Sequence, residues 1–502
     1  MSIIKIENLT FAYDGAAQNL FEDVTLNLES SWKLGLIGRN GRGKTTFLSL
    51  LQKKYDFTGK IDQQLPFAYF PQEVKDPETL TYLLIDELTT VEQWQVEKEL
   101  TQLGTSLDCL WRPFSTLSGG EQTKVLLALL FADPDCFPLI DEPTNHLDAK
   151  GRKQVAAYLK DKKQGFIVVS HDQDFIDQTV DHILALDKSK IVLYQGNYTT
   201  FLEQKEVEDI TEEMENEKLK KEIGRLKETA RKKGEWAGNR EKDKYGDPRV
   251  KNSGAIGDTG FIGARAARVM KKSKQLNERM SQQITEKEGL LKNKEVISPL
   301  KMNVEEDNHK LILTLENFTL CYDDIPLFKP ISLTINRGDR IAIIGENGVG
   351  KSTLIAALKQ EFEGTSQGKL TVYAKENWSY LNQKFELLNK GTLQEFCELH
   401  KLILEDCLNN LRKLGIDREV FAQKIETMSM GQQKKVEVTK SLITPSQFYL
   451  WDEPLNYLDH YNHEQIITTV LNDQPTLLFV EHDQHFIDKV ATKTVELLPY
   501  ED

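Results

Sequence analysis

The sequence predicts an α/β protein built from two copies of one module, each a mostly parallel sheet covered by helices, with a long α-helical hairpin linker between them. Three observations carry this reading. The segment IIKIENLTFAYDG followed by KLGLIGRNGRGKTT returns later as LILTLENFTLCYDD followed by RIAIIGENGVGKST. Inside each copy, short β-branched strands alternate with helix-patterned segments, as in GFIVVSHD before DFIDQTVDHIL, the pattern of parallel strands with crossover helices. Between the copies the apolar period changes to threes and fours.

The landmarks keep register. Gln72 to Ser118 has the same separation as Gln383 to Ser429, and Glu142 to His171 the same as Glu453 to His482. This places one module at 1–203, a linker at 204–305 and a second module at 306–502. The 502 residues are 39% hydrophobic and 28% charged, with a formal net charge of -14, an ordinary globular composition. The N-terminus lacks a basic segment leading into an apolar run, and no stretch approaches the ~18 apolar residues of a membrane span, so the chain is expected in the cytoplasm. Five scattered cysteines without CxxC spacing argue against a disulfide framework and against a zinc site.

Each module opens its chemistry with a glycine-rich loop after a strand. Gly38, Asn40, Gly41, Gly43, Lys44, Thr45 and Thr46 lie in one; Gly345, Asn347, Gly348, Gly350, Lys351, Ser352 and Thr353 lie in the other. Both match GxxxxGK[ST]: backbone N–H groups wrap a triphosphate, the lysine reaches the β/γ-phosphates, and Thr45 or Ser352 ligates Mg²⁺. Downstream, CFPLIDEPTNHLD and FYLWDEPLNYLD each deliver a metal carboxylate, Asp141 or Asp452, followed by a general base, Glu142 or Glu453. Pro138 removes a ladder donor, so a local irregularity is expected in that strand. LSGGEQ at 117–122 and MSMGQQ at 428–433 open helices; Ser118, Gly119 and Gly120, and Ser429, Gly431 and Gln432, suit either a helix cap or an anion site. Two phosphate loops in register favour the anion.

The linker concentrates positive charge. From Lys218 to Arg279 there are 19 Lys/Arg against 8 Asp/Glu. Val207, Ile210, Met214, Leu219, Ile223, Leu226 and Ala230, then Ile262, Val269, Leu276 and Leu290, space as two helices of roughly 35 residues, about 50 Å each, in an antiparallel hairpin. Around its turn, basic Arg231, Lys232, Lys233, Arg240, Lys244, Arg249, Lys251, Arg265 and Arg268 interleave with Trp236, Tyr245 and Phe261. Basic side chains with aromatic platforms suit phosphate backbones and unpaired bases, so RNA is the expected partner.

Taken together, these motifs resemble the ATP-binding-cassette ATPases. The resemblance implies a head-to-tail sandwich in which ATP on Lys44 meets Ser429 and Gly431, ATP on Lys351 meets Ser118, Gly119 and Gly120, and one polypeptide holds two intramolecular sites. It further implies that Tyr13 and Tyr322 stack on adenine, that Gln72 and Gln383 touch Mg²⁺ and water, and that His171 and His482 contact the γ-phosphate. With no membrane segment and a charged linker, the chain resembles the ABC-F class, and WRPFSTLSGGEQTKVLLALLF, KETARKKGEW, DTGFIGARAARVMK and MSMGQQKKVEV look like its antibiotic-resistance branch of Lsa and Vga type, nearest to Lsa.

That likeness implies a monomer without membrane subunits that binds the 70S ribosome in the tRNA exit site, contacts 23S rRNA, moves the P-site tRNA and displaces lincosamides, pleuromutilins or streptogramin A. The equal Gln-to-Ser separations leave no room for an extra arm in the first module, and no basic tail follows His482; both fit the Lsa type. Met430 in place of a glycine, and DEPLNYLD in place of DEPTNHLD, predict that the Lys44 site turns over differently from its partner. The competing readings are a housekeeping translation factor, against which the missing arm weighs, a transporter energy module, against which the basic linker weighs, and a DNA-binding repair ATPase, for which the hairpin would clamp duplex.

Overall fold

The structure, a computed structural model, describes residues 3–13, 19–89, 91–145, 147–187, 189–242, 299–305, 310–323, 325–373, 377–382 and 390–500. It divides into two compact units, Met1–Phe201 with Ile297–Asp502, and Leu202–Val296.

In the first half of the larger unit, β1 (Ile3–Phe11), β2 (Phe21–Glu29) and β4 (Thr58–Asp62) form a small antiparallel sheet, with β3 (Lys33–Ile37) and α1 (Lys44–Leu51) between β2 and β4 in sequence. There follow β5 (Phe67–Phe70), α2 (Thr81–Leu88), α3 (Gln93–Gln102), α4 (Gly119–Ala132), β6 (Phe137–Asp141), α5 (Ala149–Asp161), β7 (Phe166–Val169), α6 (Gln173–Thr179), β8 (His182–Asp187) and β9 (Lys190–Gln195). The main sheet runs β5-β6-β7-β3-β8-β9, parallel except for β8 with β9. Period-two alternation builds a core on each face. Phe137, Leu139, Ile167 and Val169 pack toward the small sheet, while Ile140, Phe166 and Val168 pack toward the helices.

The irregularity expected at Pro138 is absent. β6 is continuous and pairs with β5 from Phe137, but its pairing with β7 starts only at Leu139. The proline therefore sits where no β7 acceptor is yet in line, so its missing N–H costs no ladder bond.

The second half repeats the plan. β10 (Leu311–Tyr322), β11 (Ile325–Pro326), β12 (Ile331–Asn336) and β14 (Thr365–Val372) make the antiparallel sheet; β13 (Arg340–Ile344) and α8 (Lys351–Leu358) precede β14. Then come β15 (Trp378–Leu381), α9 (Leu393–Leu399), α10 (Leu404–Lys413), α11 (Met430–Ile443), β16 (Phe448–Asp452), α12 (His460–Asp473), β17 (Leu477–Val480), α13 (Gln484–Val490) and β18 (Lys493–Glu496). The parallel sheet runs β15-β16-β17-β13-β18. Phe448 and Leu450 face one core and Tyr449 and Trp451 the other; Trp451 is fully buried, its indole donating to Ser441 Oγ at 2.8 Å.

α7 spans Tyr198–Lys242, 45 residues, about 67 Å at 1.5 Å per residue, longer than its sequence pattern predicts. Val207, Ile210 and Met214 are exposed on it. The return arm and turn of the expected hairpin, at 243–298, lie outside the described residues.

Candidate functional site

Both phosphate loops are made the same way. β3 leads to α1 through Gly43, at φ 92°, and β13 leads to α8 through Gly350, at φ 104°. Only glycine takes these left-handed values without strain, and a Cβ on Gly43 would stand 2.8 Å from Leu20. The free N–H groups of the following helix turn remain for an anion. Lys44 folds back to donate to Gly38 O at 2.7 Å and Asn40 Oδ1 at 3.2 Å; Lys351 donates to Gly345 O at 2.8 Å and Glu346 O at 2.9 Å. A Cβ on Gly41 or Gly348 would meet nothing within 4 Å, so the bend of each loop borders open space.

Neighbouring strands bring the carboxylates. Asp141, at the end of β6, accepts from Thr45 Oγ1 at 2.8 Å and Tyr69 Oη at 3.0 Å; Ser352 donates to Asp452 at the end of β16. Glu142 and Glu453 follow at φ 52° and 47°, each giving its N–H to the next strand, at Val169 O and Val480 O, both 2.9 Å. Their carboxylates lie 3.3 Å from His171 Nε2 and 3.9 Å from His482 Nε2. Asn456 donates to Glu453.

Burial dominates the electrostatics. It pushes Glu142 up to about 8, against the pull of Lys44 and with the push of Asp141. It lifts Asp452 to about 6 although Ser352 donates to it. Burial, then the Lys44 charge, holds His171 well below its ordinary value; burial, then Lys351, holds His482 at about 3. Both imidazoles are therefore neutral near pH 7 and can donate or accept a hydrogen bond. Burial likewise lowers Lys44 and Lys351 while the adjacent carboxylates oppose it.

The first site is completed by the other half. A cavity of about 540 Å³ is lined by Asn40, Gly41, Lys44, Thr45, Asp141, Glu142 and His171 on one side and by Ser429, Met430, Gly431, Gln432, Lys435 and Tyr457 on the other, a volume within the usual range for small-molecule sites. Asn40 donates its N–H to Asp459 Oδ2 and its amide to Tyr457 O, both at 2.8 Å. Burial raises Asp459, but Lys435 and the Asn40 and Asn462 N–H groups outweigh it and hold the carboxyl below its ordinary value. Gly431 is close to both partners, since a Cβ there would stand 2.9 Å from Tyr457 O and 3.4 Å from Asn40 Nδ2. At the second site the first half contributes the charge of Asp148 near Lys351 and His482, and Lys150 lies 3.5 Å from Glu346. No hydrogen bond joins Asn347 to Asp148 among the described residues.

The remaining expected residues fall as follows. Tyr13 is half exposed, its hydroxyl 2.7 Å from Thr46 Oγ1 and its ring edge-on to Phe11 and Tyr55; Tyr322 is half exposed, edge-on to Phe362. Gln72 does not line the cavity: its amide donates to Leu126 O at 3.3 Å, and its Oε1 is buried without a hydrogen-bond partner. Ser118 caps α4 and, with Gly119, is exposed. Arg231, Lys232, Lys233, Trp236 and Arg240 lie on α7. Gln383, Lys244, Tyr245, Arg249, Lys251, Phe261, Arg265 and Arg268 lie outside the described residues. Sequence reasoning missed Arg39, Tyr69, Lys435, Tyr457, Asp417 and Val420. Tyr69 recurs in register as Tyr380, a signal that was there to use, as the paired Asp148 and Asp459 were; Arg39 and Val420 carry none.

Comparison with known proteins agrees with this geometry. The family model described as ABC transporter matches residues 21–145 and 328–456, and a second model of that description matches 184–296. The chain belongs to the ABC transporter family. It is an ATPase of that family and falls in its F class: similar proteins include the ribosome protection protein VmlR of Bacillus subtilis (strain 168), 29% identical over 97% of this chain and 85% of that protein. Another is ABC transporter F family member 5 of Arabidopsis thaliana, 26% identical over 98% of this chain and 75% of that protein. Among solved structures, an RNase-L inhibitor matches at TM-score 0.63 and 18% identity, over 98% of this chain and 87% of that one. The archaeal recycling factor aABCE1, in complex with ribosomal stalk protein aP1, matches at TM-score 0.63 and 18% identity, over 97% and 87%; these likenesses bear on the fold. This ABC ATPase has, among the described residues, no cluster of three protein side chains able to hold a metal and no helix long and apolar enough to cross a membrane. The orphaned, buried Oδ1 of Asp452 fits a Mg²⁺ held by one carboxylate, one hydroxyl and nucleotide phosphates.

Proposed function

We propose that this protein is a ribosome-bound ATPase that occupies the tRNA exit site of the 70S particle in its ATP-closed form, shifts the P-site tRNA through its linker, and so displaces lincosamide, pleuromutilin or streptogramin A antibiotics. The observation that carries the reading is the cavity over Lys44, walled by both halves. A nucleotide bound there favours the arrangement in which the halves meet, and its hydrolysis removes that preference.

In this reading Lys44 and Lys351 orient the β/γ-phosphates, and Thr45 with Asp141, and Ser352 with Asp452, hold Mg²⁺. The metal would neutralise charge on the transferred phosphoryl group. In their ionised forms Glu142 and Glu453 accept a proton from the attacking water, and neutral His171 and His482 hydrogen-bond the γ-phosphate. Ser429 and Gly431, and across the chain Ser118, Gly119 and Gly120, close over the same phosphates. Residues 204–305 then form a separate RNA-directed arm, and the protein acts in the cytoplasm as a monomer without membrane subunits.

The 19-to-8 excess of basic residues in the linker and the likeness to a relative named a ribosome protection protein support the target. A housekeeping role on stalled ribosomes without a drug is the second reading, since similar relatives such as ABC transporter F family member 5 share the class without a name that speaks of protection. Glu142→Gln with Glu453→Gln is expected to bind ATP, resist hydrolysis and co-sediment with 70S ribosomes. Protein left in the supernatant under ATP would overturn the ribosomal reading. Growth of a susceptible bacterium expressing the chain across large-subunit inhibitors separates protection from housekeeping.

A further inference from the structure

The two phosphate loops share a backbone but carry opposite charge where they reach the other half. Arg39 follows the first glycine of one loop, and Glu346 follows the first glycine of the other. The Arg39 guanidinium lies over the Tyr461 ring of the second half, 5.5 Å from its centroid, within range of a cation–π contact. It also lies against Gly415, where a Cβ would stand 2.5 Å from Arg39 Nη2. Asp417, two residues further on, lines the same cavity as Arg39. Glu346 faces a cation of the first half instead: Lys150 Nζ lies 3.5 Å from its carboxylate.

These partners occupy equivalent places in the repeat. LDAK at 147–150 aligns with LDHY at 458–461, and LGTS at 103–106 with LGID at 414–417. Lys150 therefore corresponds to Tyr461, and Ser106 to Asp417. The register shows what a pairing of like with like would bring together. Two first halves would set Arg39 against Lys150, with Ser106 offering no counter-charge. Two second halves would set Glu346 against Tyr461 and Asp417, an anion beside an acid with no cation. Only unlike halves give each loop a compatible partner.

We propose that Arg39, Lys150, Glu346 and Asp417 form a charge code that makes the two halves selective for each other and excludes a second copy of this chain paired like with like. Each exposed ion pair contributes little alone. Selectivity is a difference between two assemblies, however, and a like-with-like pair of chains would meet the unfavourable contact at every one of its composite sites. The inference rests on the reading that ATP draws the halves together.

The test recodes the full chain in the Glu142→Gln, Glu453→Gln background, with ATP at low salt, and follows mass by sedimentation velocity. Lys150→Glu with Asp417→Arg turns both unlike pairings repulsive and both like pairings attractive. This double exchange is expected to strengthen chain dimerisation about tenfold over the parent, only with ATP, and high salt should reverse it. Adding Arg39→Glu and Glu346→Lys restores opposite charges between unlike halves, so the fourfold exchange should return the chain to a monomer. A double exchange that stays as monomeric as the parent would overturn the proposal. So would dimers that form equally without ATP, or that persist in the fourfold exchange, since these report damage rather than recoding. If the parent itself binds no ATP, the closure reading fails instead.

Discussion

Glu142 stands where local preference is most plainly overridden. Its φ of 52° is left-handed for a residue with a Cβ, a conformation costing on the order of 1 kcal/mol that the strand-end bond to Val169 O holds in place. Burial adds a second cost, raising its carboxyl from an ordinary 4.5 to about 8. Between those values the unfolded chain releases its proton while the folded chain keeps it, so stability falls as pH rises from about 4.5 to about 8. Glu142→Gln lacks that dependence. Without nucleotide it should be more stable than the parent by on the order of 2 kcal/mol at pH 8, the side chain being 21% exposed and its shift partly screened. The advantage should vanish near pH 4, as denaturant unfolding at both values can check. The residues of this site were legible wherever chemistry fixes both type and spacing: Lys44, Thr45, Asp141, Glu142 and His171 all meet in one cavity. Lys435 was not, because a lysine in a helix of mixed polarity gives no sign that it faces the cavity.

At the scale of elements, the two signature helices show that a bland and a functional reading can hold together. Ser429 caps α11, accepting the Gln432 N–H at 3.3 Å while the Gln432 side chain takes the Ser429 N–H at 3.0 Å, and the same serine lines the cavity. Ser118 and Glu121 repeat this reciprocal pair on α4 at 3.2 and 2.8 Å. Two substitutions separate the roles. Ser429→Ala should lower stability by about 1 kcal/mol through the lost cap. Ser429→Asp keeps a capping oxygen but sets a negative charge toward the phosphates, so it should melt like the parent and lose ATP turnover at least tenfold in the Glu453→Gln background. Turnover that merely follows melting temperature would reduce Ser429 to a cap. The alternation of strands and helices was readable because both sheets follow simple periods. The regularity of β6 was not, since it depends on where β7 begins to pair, a property of register between strands that neither strand's residues reveal.

For the whole molecule the governing fact is separation of charge: the chain carries -14 overall while the stretch from Lys218 to Arg279 is strongly basic. Contacts made by such a segment should weaken steeply with salt. Under the proposed function, deleting Gly246 to Gly260 should abolish the drug tolerance conferred on cells while leaving ATP hydrolysis within about twofold; tolerance that survives the deletion would remove this segment from the proposal. The two ATP sites differ in their walls as well. Met430 and Tyr457 border the first, and Glu481 ties the His482 and Leu455 backbone beside the second. Trp451 extends that difference into a practical property. Its indole is sealed in the core, one peptide unit from Asp452, where the first half has Ile140. Ligand-induced changes in its ultraviolet emission, taken against a Trp451→Phe control, would follow loading of the second site without any attached dye.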